Sequence, residues 1–556
     1  MRKEIEIVIE NTNQKAIVTP GLSLKEIAHI FNIKLKYCVL GAMVNNQLKE
    51  LDYEVFSPKT IRYIDITHPA GTRMYHRSLF FLLQKAVRDI LPTSKVRIEH
   101  SVSKGYYCEI DGYNLPIELP LVFSIVDKMR EIVAADLSFR RDKMLTADAI
   151  KLFEKAGYTD KAKLFITRPQ LYTSVYHLGD MSDYFFGSLV PSTGYLKVFD
   201  LVKYYNGMLL RVPKRFDPEE LEDVVIQNKM FEIFQEFKDW GDILGVGNVA
   251  AVNEEIKNGR ASELIKVSEA LQEKKVANIA DQINTRSKQI KLVLISGPSS
   301  SGKTTFAKRL SIQLKVNGLN PHTISLDNYF VERDKTPHDE NGHLDFEALN
   351  ALDIEYFNND LIKLLNGEEV ELPKFSFEKG CRYFDNTKMK IDENGIIVIE
   401  GIHALNPKLT PLIPDEKKFK VYVSALTSLS FDGINRIPTT DNRLVRRIIR
   451  DFRYRGYNAK DTIARWESVR KGEERNIFPF QEEADVMFNS ALIFEISVLK
   501  RFAEPILQEV PPNTSEYDEA KRLLKFLGYF CSVPEMELPP TSILREFLGG
   551  STFSYK

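Results

Sequence analysis

The hydrophobic pattern of this chain changes character several times from one end to the other. The opening MRKEIEIVIE alternates charged and β-branched positions with the period of two expected of a half-buried strand. Pro20-Gly21 predicts a turn, and Ser23 with Glu26 forms a capping box that opens a helix from Leu24 to Phe31. Asn45-Asn46 and Leu51-Asp52 punctuate the strands that follow, so residues 1–66 predict a small β-rich unit. Over 67–213 the pattern is α+β. An amphipathic helix begins at His76 and runs through Leu79, Leu82, Leu83 and Val87, and short strands are expected around 106–110 and 195–199. Residues 214–285 place Leu264, Val267, Leu271 and Ile279 near helical spacing with little turn chemistry, which predicts a helical connector. From 286 to 556 apolar runs at 290–296, 322–326, 395–400, 420–425 and 485–489 alternate with helical patterns, as in a parallel sheet with crossover helices. The expectation is a multidomain α/β protein.

Composition narrows the partners. Lys+Arg 76 against Asp+Glu 77 leaves a net charge of −1, so no global field favours nucleic acid or a membrane surface. Cys38, Cys108, Cys381 and Cys531 are scattered without a CxxC pair, which argues against a zinc knuckle or disulfide framework and fits a reducing cytoplasm. No apolar run approaches the ~20 residues of a membrane span, and the expectation is a soluble cytoplasmic protein.

The chemistry enters at GPSSSGKTT, Gly297 to Thr305, which fits the phosphate-binding pattern GxxxxGK[ST] between a predicted strand and a predicted helix. Gly297, Ser299, Ser300, Ser301, Gly302, Lys303, Thr304 and Thr305 are the candidate nucleotide contacts. Lys303 reaches the β- and γ-phosphates of a nucleotide triphosphate, and the Thr304 hydroxyl holds Mg²⁺. Asp327 in SLDNYF ends a predicted strand, where a carboxylate can accept a proton from an attacking hydroxyl or complete a Mg²⁺ shell. Glu400 in IIVIEGIHAL ends another apolar run, where an unpaired carboxylate is costly and a Mg²⁺-linked role explains it. Arg443, Arg446, Arg447, Arg450, Arg453 and Arg455 crowd one segment. Four of them, Arg443 to Arg450, lie near one helical face that can close over phosphates.

Together these runs resemble the uridine kinase and phosphoribulokinase family of P-loop kinases over roughly 286–500, through GPSSSGKT, SLDNYF, HLDFEAL, ELPKFSFEKGCR, EGI, DNRLVRRIIRD and EEADVMFN. The resemblance implies a P-loop NTPase parallel-sheet kinase domain. In it Asp327 is the catalytic base, Thr304, Asp327 and Glu400 surround Mg²⁺, and Lys303, Arg450 and Arg455 face the phosphates. Asp345 and Arg447 meet ribose hydroxyls, and Phe375, Phe377, Arg382 and Tyr457 lie on the acceptor side. The base-reading side departs from the family. Phe375, Ser376, Phe377 and Gly380 stand where uridine kinases carry a Tyr-Asp-Phe run and then a His, the lid's RGR reads Arg455-Gly456-Tyr457, and a Gln becomes Arg465.

The front of the chain resembles threonyl-tRNA synthetase: a ubiquitin-like β-grasp (TGS) domain over 1–66, then over 67–213 the second additional domain that edits mischarged tRNA. The matching runs are ITHPAGTRMYHRSLFFLL and DYFFGSLVPSTGYLKVF. Of the four editing-site positions, His76 survives, while Phe80, Phe185 and Leu189 replace the others, so neither bound zinc nor deacylation is expected. Tyr106, Tyr107, Tyr172, Tyr176, Tyr184 and Phe186 can serve as core or as stacking platforms for RNA. The expected activity is phosphorylation of a nucleoside or other ribosyl hydroxyl by ATP, with the front domains as a recognition or regulatory module and tRNA as a candidate partner. The alternative is an RNA-linked ATP-binding switch. The tail ELPPTSILREFLGGS suggests a helical turn and no chemistry.

Overall fold

The computed structural model describes residues 4–168, 170–338, 342, 344–376, 378–427 and 429–555. The opening alternation becomes a five-stranded sheet in the order Gln14–Val18, Ile5–Ile9, Lys59–Ile64, Gly41–Val44, Gln47–Lys49. Ile5–Ile9 and Lys59–Ile64 run parallel and the remaining neighbours antiparallel. Ile7, Ile9, Ile61 and Tyr63 pack on Leu24 and Ile27 of the helix Leu24–Ile30. That helix starts where expected, since Glu26 N–H donates to Ser23 Oγ at 3.2 Å and Ser23 N–H to Glu26 Oε2 at 2.8 Å.

Two expectations for the next region are corrected. The helix drawn from His76 runs Pro69–Ile90, because the His68 ring accepts the Ala70 N–H and Pro69 presets the first helical φ. The strand drawn at 195–199 is a tight turn, Thr193–Tyr195, and the strand follows at Asp200–Tyr204. Thr193 Oγ1 accepts from Leu137 N–H and donates to Ile132 O, which ties the chain down before it can extend. An antiparallel sheet in the order Asp200–Tyr204, Gly207–Arg211, Gly105–Asp111, Lys95–Val102 packs against Pro69–Ile90 and Leu119–Ala134.

The segment read as a connector is core. In Ala261–Thr285, Val276, Ile279 and Ile283 press on Val293 and Phe306, and in Asn228–Leu244, Met230 and Phe234 meet Tyr422 and Met487. The last sheet is wholly parallel, in the order Asn320–Ser325, Gly395–Glu400, Leu292–Ser296, Lys418–Ser424, Val486–Asn489. Leu292–Ser296 is buried throughout, as a parallel strand covered on both faces must be. The strand order reverses beside it, so the carboxyl ends of Leu292–Ser296, Asn320–Ser325 and Gly395–Glu400 meet at one crevice. Among the described residues no helix is long and apolar enough to cross a membrane.

Candidate active site

The phosphate loop turns where side chains are excluded. A Cβ on Gly297 would fall 1.9 Å from Val423 O, and Gly302 has φ 82°, a left-handed conformation that opens the helix Lys303–Val316. Lys303 Nζ folds back on the loop, donating to Gly297 O at 2.8 Å and Pro298 O at 3.1 Å. Burial lowers its pKa, opposed by the charges of Glu400 and Asp327. The Ser300 and Ser301 hydroxyls are buried without a hydrogen-bond partner.

Two carboxylates face this lysine. Glu400 accepts from Thr304 Oγ1 at 3.4 Å and from Ser325 Oγ at 3.1 Å. Burial, then repulsion by Asp327, pushes its carboxyl up to about 7, with Lys303 opposing. Asp327 sits in the turn Leu326–Tyr329 just past its strand, open to solvent at the mouth of a deep crevice. Desolvation by the crevice walls raises its pKa, against the pull of Lys303, Arg455 and Arg450. A hydroxyl flanked by two carboxylates is the all-oxygen donor set that Mg²⁺ takes, so Thr304, Asp327 and Glu400 fit that ion.

The arginines divide into two groups. Helix Thr439–Tyr454 buries Arg443 and Arg446, which pair with Glu473 and with Glu495, the latter at 2.6 Å. These two hold the helix against the loop, where Arg443 donates to Ser299 O at 3.2 Å. Arg447 donates to Ser299 Oγ at 2.7 Å, and Glu473 takes the Ser299 N–H at 3.0 Å. Arg447, Arg450 and Arg455 gather round the buried Asp451 at 3.2, 2.8 and 3.6 Å. Arg450 and Arg455 are the arginines that act on Asp327.

On the acceptor side, Asp345 Oδ1 accepts the Glu347 N–H at 3.0 Å and so caps its own turn. Phe375 lies 5.7 Å from the Phe330 ring. Arg382 pairs with Asp353 at 3.0 Å and covers the Tyr356 ring, while Arg465 covers Tyr457 at 4.2 Å. Phe377 lies outside the described residues.

Three acidic residues at the site were missed by sequence reasoning. Glu347 sits in the same HLDFEAL run that offered Asp345, and burial followed by repulsion from Glu473 pushes it up to about 7. Glu473 carried no motif signal. Glu546 overturns the reading of the tail as chemically silent. Its Oε2 accepts the Thr305 N–H at 3.1 Å and the Thr305 hydroxyl at 2.6 Å, and Tyr555 OH lies 2.9 Å from the same hydroxyl.

The front cleft is built differently. His76 Nδ1 meets Tyr106 OH at 2.9 Å, and burial pulls its pKa down to about 3. Phe80, Phe185 and Leu189 are buried in one apolar cluster, and Tyr107, Tyr176, Tyr184 and Phe186 are buried as well, leaving Tyr172 exposed.

The comparisons follow this division. Residues 292–497 match the Phosphoribulokinase / Uridine kinase family. That stretch holds the loop, Asp327, Glu400 and the arginine helix on the parallel sheet, and it is P-loop kinase-like. The N-terminal part is similar to threonine–tRNA ligases. The ligase of Acetivibrio thermocellus is 27% identical over 192 residues, which is 34% of this chain and 30% of that protein. The ligase of Rubrobacter xylanophilus is 30% identical over 186 residues, 33% of this chain and 28% of its own. The chain spans about a third of the length of the curated relatives it matches. Among solved structures, one described as a possible uridine kinase from Bacillus stearothermophilus aligns with 39% of this chain and 100% of its own at TM-score 0.25 and 21% identity.

Proposed function

We propose that this protein is an ATP-dependent kinase that phosphorylates a hydroxyl of a nucleoside or related ribosyl compound, with the front domains as a recognition or regulatory module. The observation that carries this is the meeting of Lys303, Thr304, Asp327 and Glu400 at the carboxyl ends of parallel strands, with Arg450 and Arg455 acting on Asp327. A nucleotide switch has no need of an acceptor-side carboxylate.

In this reading the acceptor oxygen attacks the γ-phosphorus, its proton passes to Asp327, and the bond from the γ-phosphorus to the β,γ-bridging oxygen breaks, leaving ADP. The raised pKa of Asp327 suits it to hold that proton. Lys303, now on loop carbonyls, is close enough to exchange them for phosphate oxygens. Arg450 and Arg455 balance charge as it spreads over the transferring group. Held by Thr304, Asp327 and Glu400, Mg²⁺ would neutralise phosphate charge. The acceptor pocket lacks the family's His and Tyr-Asp pair, so the reading includes weak preference between uridine and cytidine.

The test is kcat/KM across uridine, cytidine, adenosine, guanosine, inosine and ribose, for the native protein and for Asp327→Asn. Turnover on at least one acceptor, cut ~10²-fold by the substitution with ATP binding retained, supports the reading. No turnover on any of them overturns it, and a uridine preference above ~10³ overturns the account of the pocket.

A further inference from the structure

Several buried cations among the described residues are paired: Lys161 with Asp183, Arg309 with Glu273, Arg443 with Glu473, Arg446 with Glu495. Around Ser188 and Tyr106 a buried arginine, Arg168, two half-buried ones, Arg77 and Arg436, and the exposed Lys525 are arranged differently. Arg77, Arg168, Arg436 and Lys525 have no carboxylate within ion-pair distance among the described residues. Their contacts are carbonyls, an amide, the Tyr184 hydroxyl beside Arg168, and rings. Arg77 Nη1 donates to Ser188 O and Lys525 Nζ to Phe186 O, each at 3.0 Å. Arg168 reaches the Gln170 amide oxygen and lies 4.4 Å from the Tyr529 ring centroid, and Arg436 lies 5.5 Å from that of Tyr106. The Nε atoms of Arg168 and Arg436 and Nε2 of His76 are buried without a hydrogen-bond partner.

These groups come from both halves of the chain. Arg77 lies on Pro69–Ile90, Arg436 just before Thr439–Tyr454, and Lys525 on Tyr517–Leu527. The carboxylates that act on them are committed elsewhere: Asp441, which faces Arg77 and Arg436, to Arg522, and Glu50, which faces Lys525, to Tyr176 OH, the Leu189 N–H and Arg141. Lys525 keeps contact with solvent, yet burial first and then the charges of Arg168, Arg77 and Arg141 pull its pKa down to about 7, with Glu50 opposing. The exposed Lys525 leaves the group open to a ligand, while Arg168 is buried and Arg77 and Arg436 are half-buried. Unneutralised arginines so placed are costly, and an anion that accepts from several cations at once removes the cost. A phosphate group has the charge and the acceptor oxygens to meet three cations.

We propose that this cluster binds a phosphate-bearing small anion held by Arg77, Arg436 and Lys525, at a place separate from the phosphate loop.

The experiment is isothermal titration calorimetry of the full chain with inorganic phosphate, pyrophosphate and uridine 5′-monophosphate, repeated on Lys525→Gln, Arg436→Gln and the exposed control Lys521→Gln. Saturable binding of at least one probe is expected, weakened at least ~10-fold by Lys525→Gln and by Arg436→Gln and unchanged by Lys521→Gln. Equal affinity for phosphate and the nucleotide identifies free phosphate as the ligand, and tighter nucleotide binding identifies a nucleotide. At pH 8 binding should take up a proton in the native protein and not in Lys525→Gln, because an anion restores the charged lysine; buffers of different ionisation enthalpy read this directly. Lys525 touches solvent, so its Gln variant should fold, and far-UV circular dichroism checks it. No saturable binding up to roughly 10 mM, or binding indifferent to both substitutions, overturns the proposal.

Discussion

The crevice at Lys303 and the cleft at His76 are both deep, and they have taken opposite routes to stability. At Lys303 the polar groups remain, each carboxylate answered by a cation: Glu400 and Asp327 by Lys303, Asp451 by three arginines. At His76 the other three site positions are Phe80, Phe185 and Leu189, and Phe185 lies 5.0 Å from the Phe81 ring. Burial that poises Glu400 near neutrality instead leaves His76 uncharged. What separates the two is whether opposite charges survive to compensate one another: beside Lys303 they do, and beside His76 the editing positions have turned apolar and cations remain without carboxylates.

Lys303→Ala should break the comparison most sharply. It removes a cation from the nucleotide crevice while the loop glycines and flanking strand stay, so turnover should fall at least ~10³-fold with the unfolding temperature little changed. Steady-state kinetics beside a melting curve reads both. Unchanged kcat would refute the kinase assignment.

Leu189→Ala should give the converse result at the other cleft. Leu189 is 2% exposed in the cluster with Phe80 and Phe185, so the cavity should cost about 3 kcal/mol of stability. The activity of folded molecules should stay the same. A fall in kcat with no loss of stability would mean that the front cleft takes part in the reaction.

The sequence made these two fates legible because both are written in residue type at fixed positions. Gly297, Gly302, Lys303 and Thr304 specify a phosphate loop, and a Phe at 80 or 185 cannot ligate a metal. Charge pairing at a distance left no such mark. Arg443 and Arg446 looked like members of one lid face, and only the approach of Glu473 and Glu495 makes them buried anchors. The helix Ala261–Thr285 read as a connector because its apolar positions are sparse, and it is the sheet beside it that makes them core. Glu546 lies 241 residues from Thr305, a separation that no local pattern encodes.

Protonation offers a weaker lever on the crevice. Glu400 and Glu347 sit at about 7 against an ordinary 4.5, so the ligand-free fold favours their neutral forms. Their contribution to stability is full below pH 4.5 and is lost as pH rises through 7. Mg²⁺ binding runs the other way, since it needs the Glu400 charge. About a tenth of that carboxyl is ionised at pH 6 and about nine tenths at pH 8, so affinity for Mg²⁺ with an ATP analogue should rise about tenfold over that span. Titrations at the two pH values check this, and Glu400→Gln should flatten the dependence. A flat native profile would show that Glu400 does not meet the ion.

The smallest effect expected belongs to Glu546. Its carboxylate occupies the Thr305 N–H and hydroxyl at the start of the loop helix, where the amides and helix dipole favour an anion. An incoming triphosphate needs the same donors, so Glu546 competes with it. The tail cannot be cut away to test this, because Ile543 and Phe547 belong to the core beneath the loop and Phe547 lies against Arg446. Glu546→Gln keeps that packing and removes only the charge. ATP affinity should then improve roughly fivefold, the equivalent of about 1 kcal/mol. A fluorescent ATP analogue titrated against both proteins measures the change. If affinity falls instead, the carboxylate belongs to the wall of the nucleotide site, and the tail is a component of that site rather than a stopper in it.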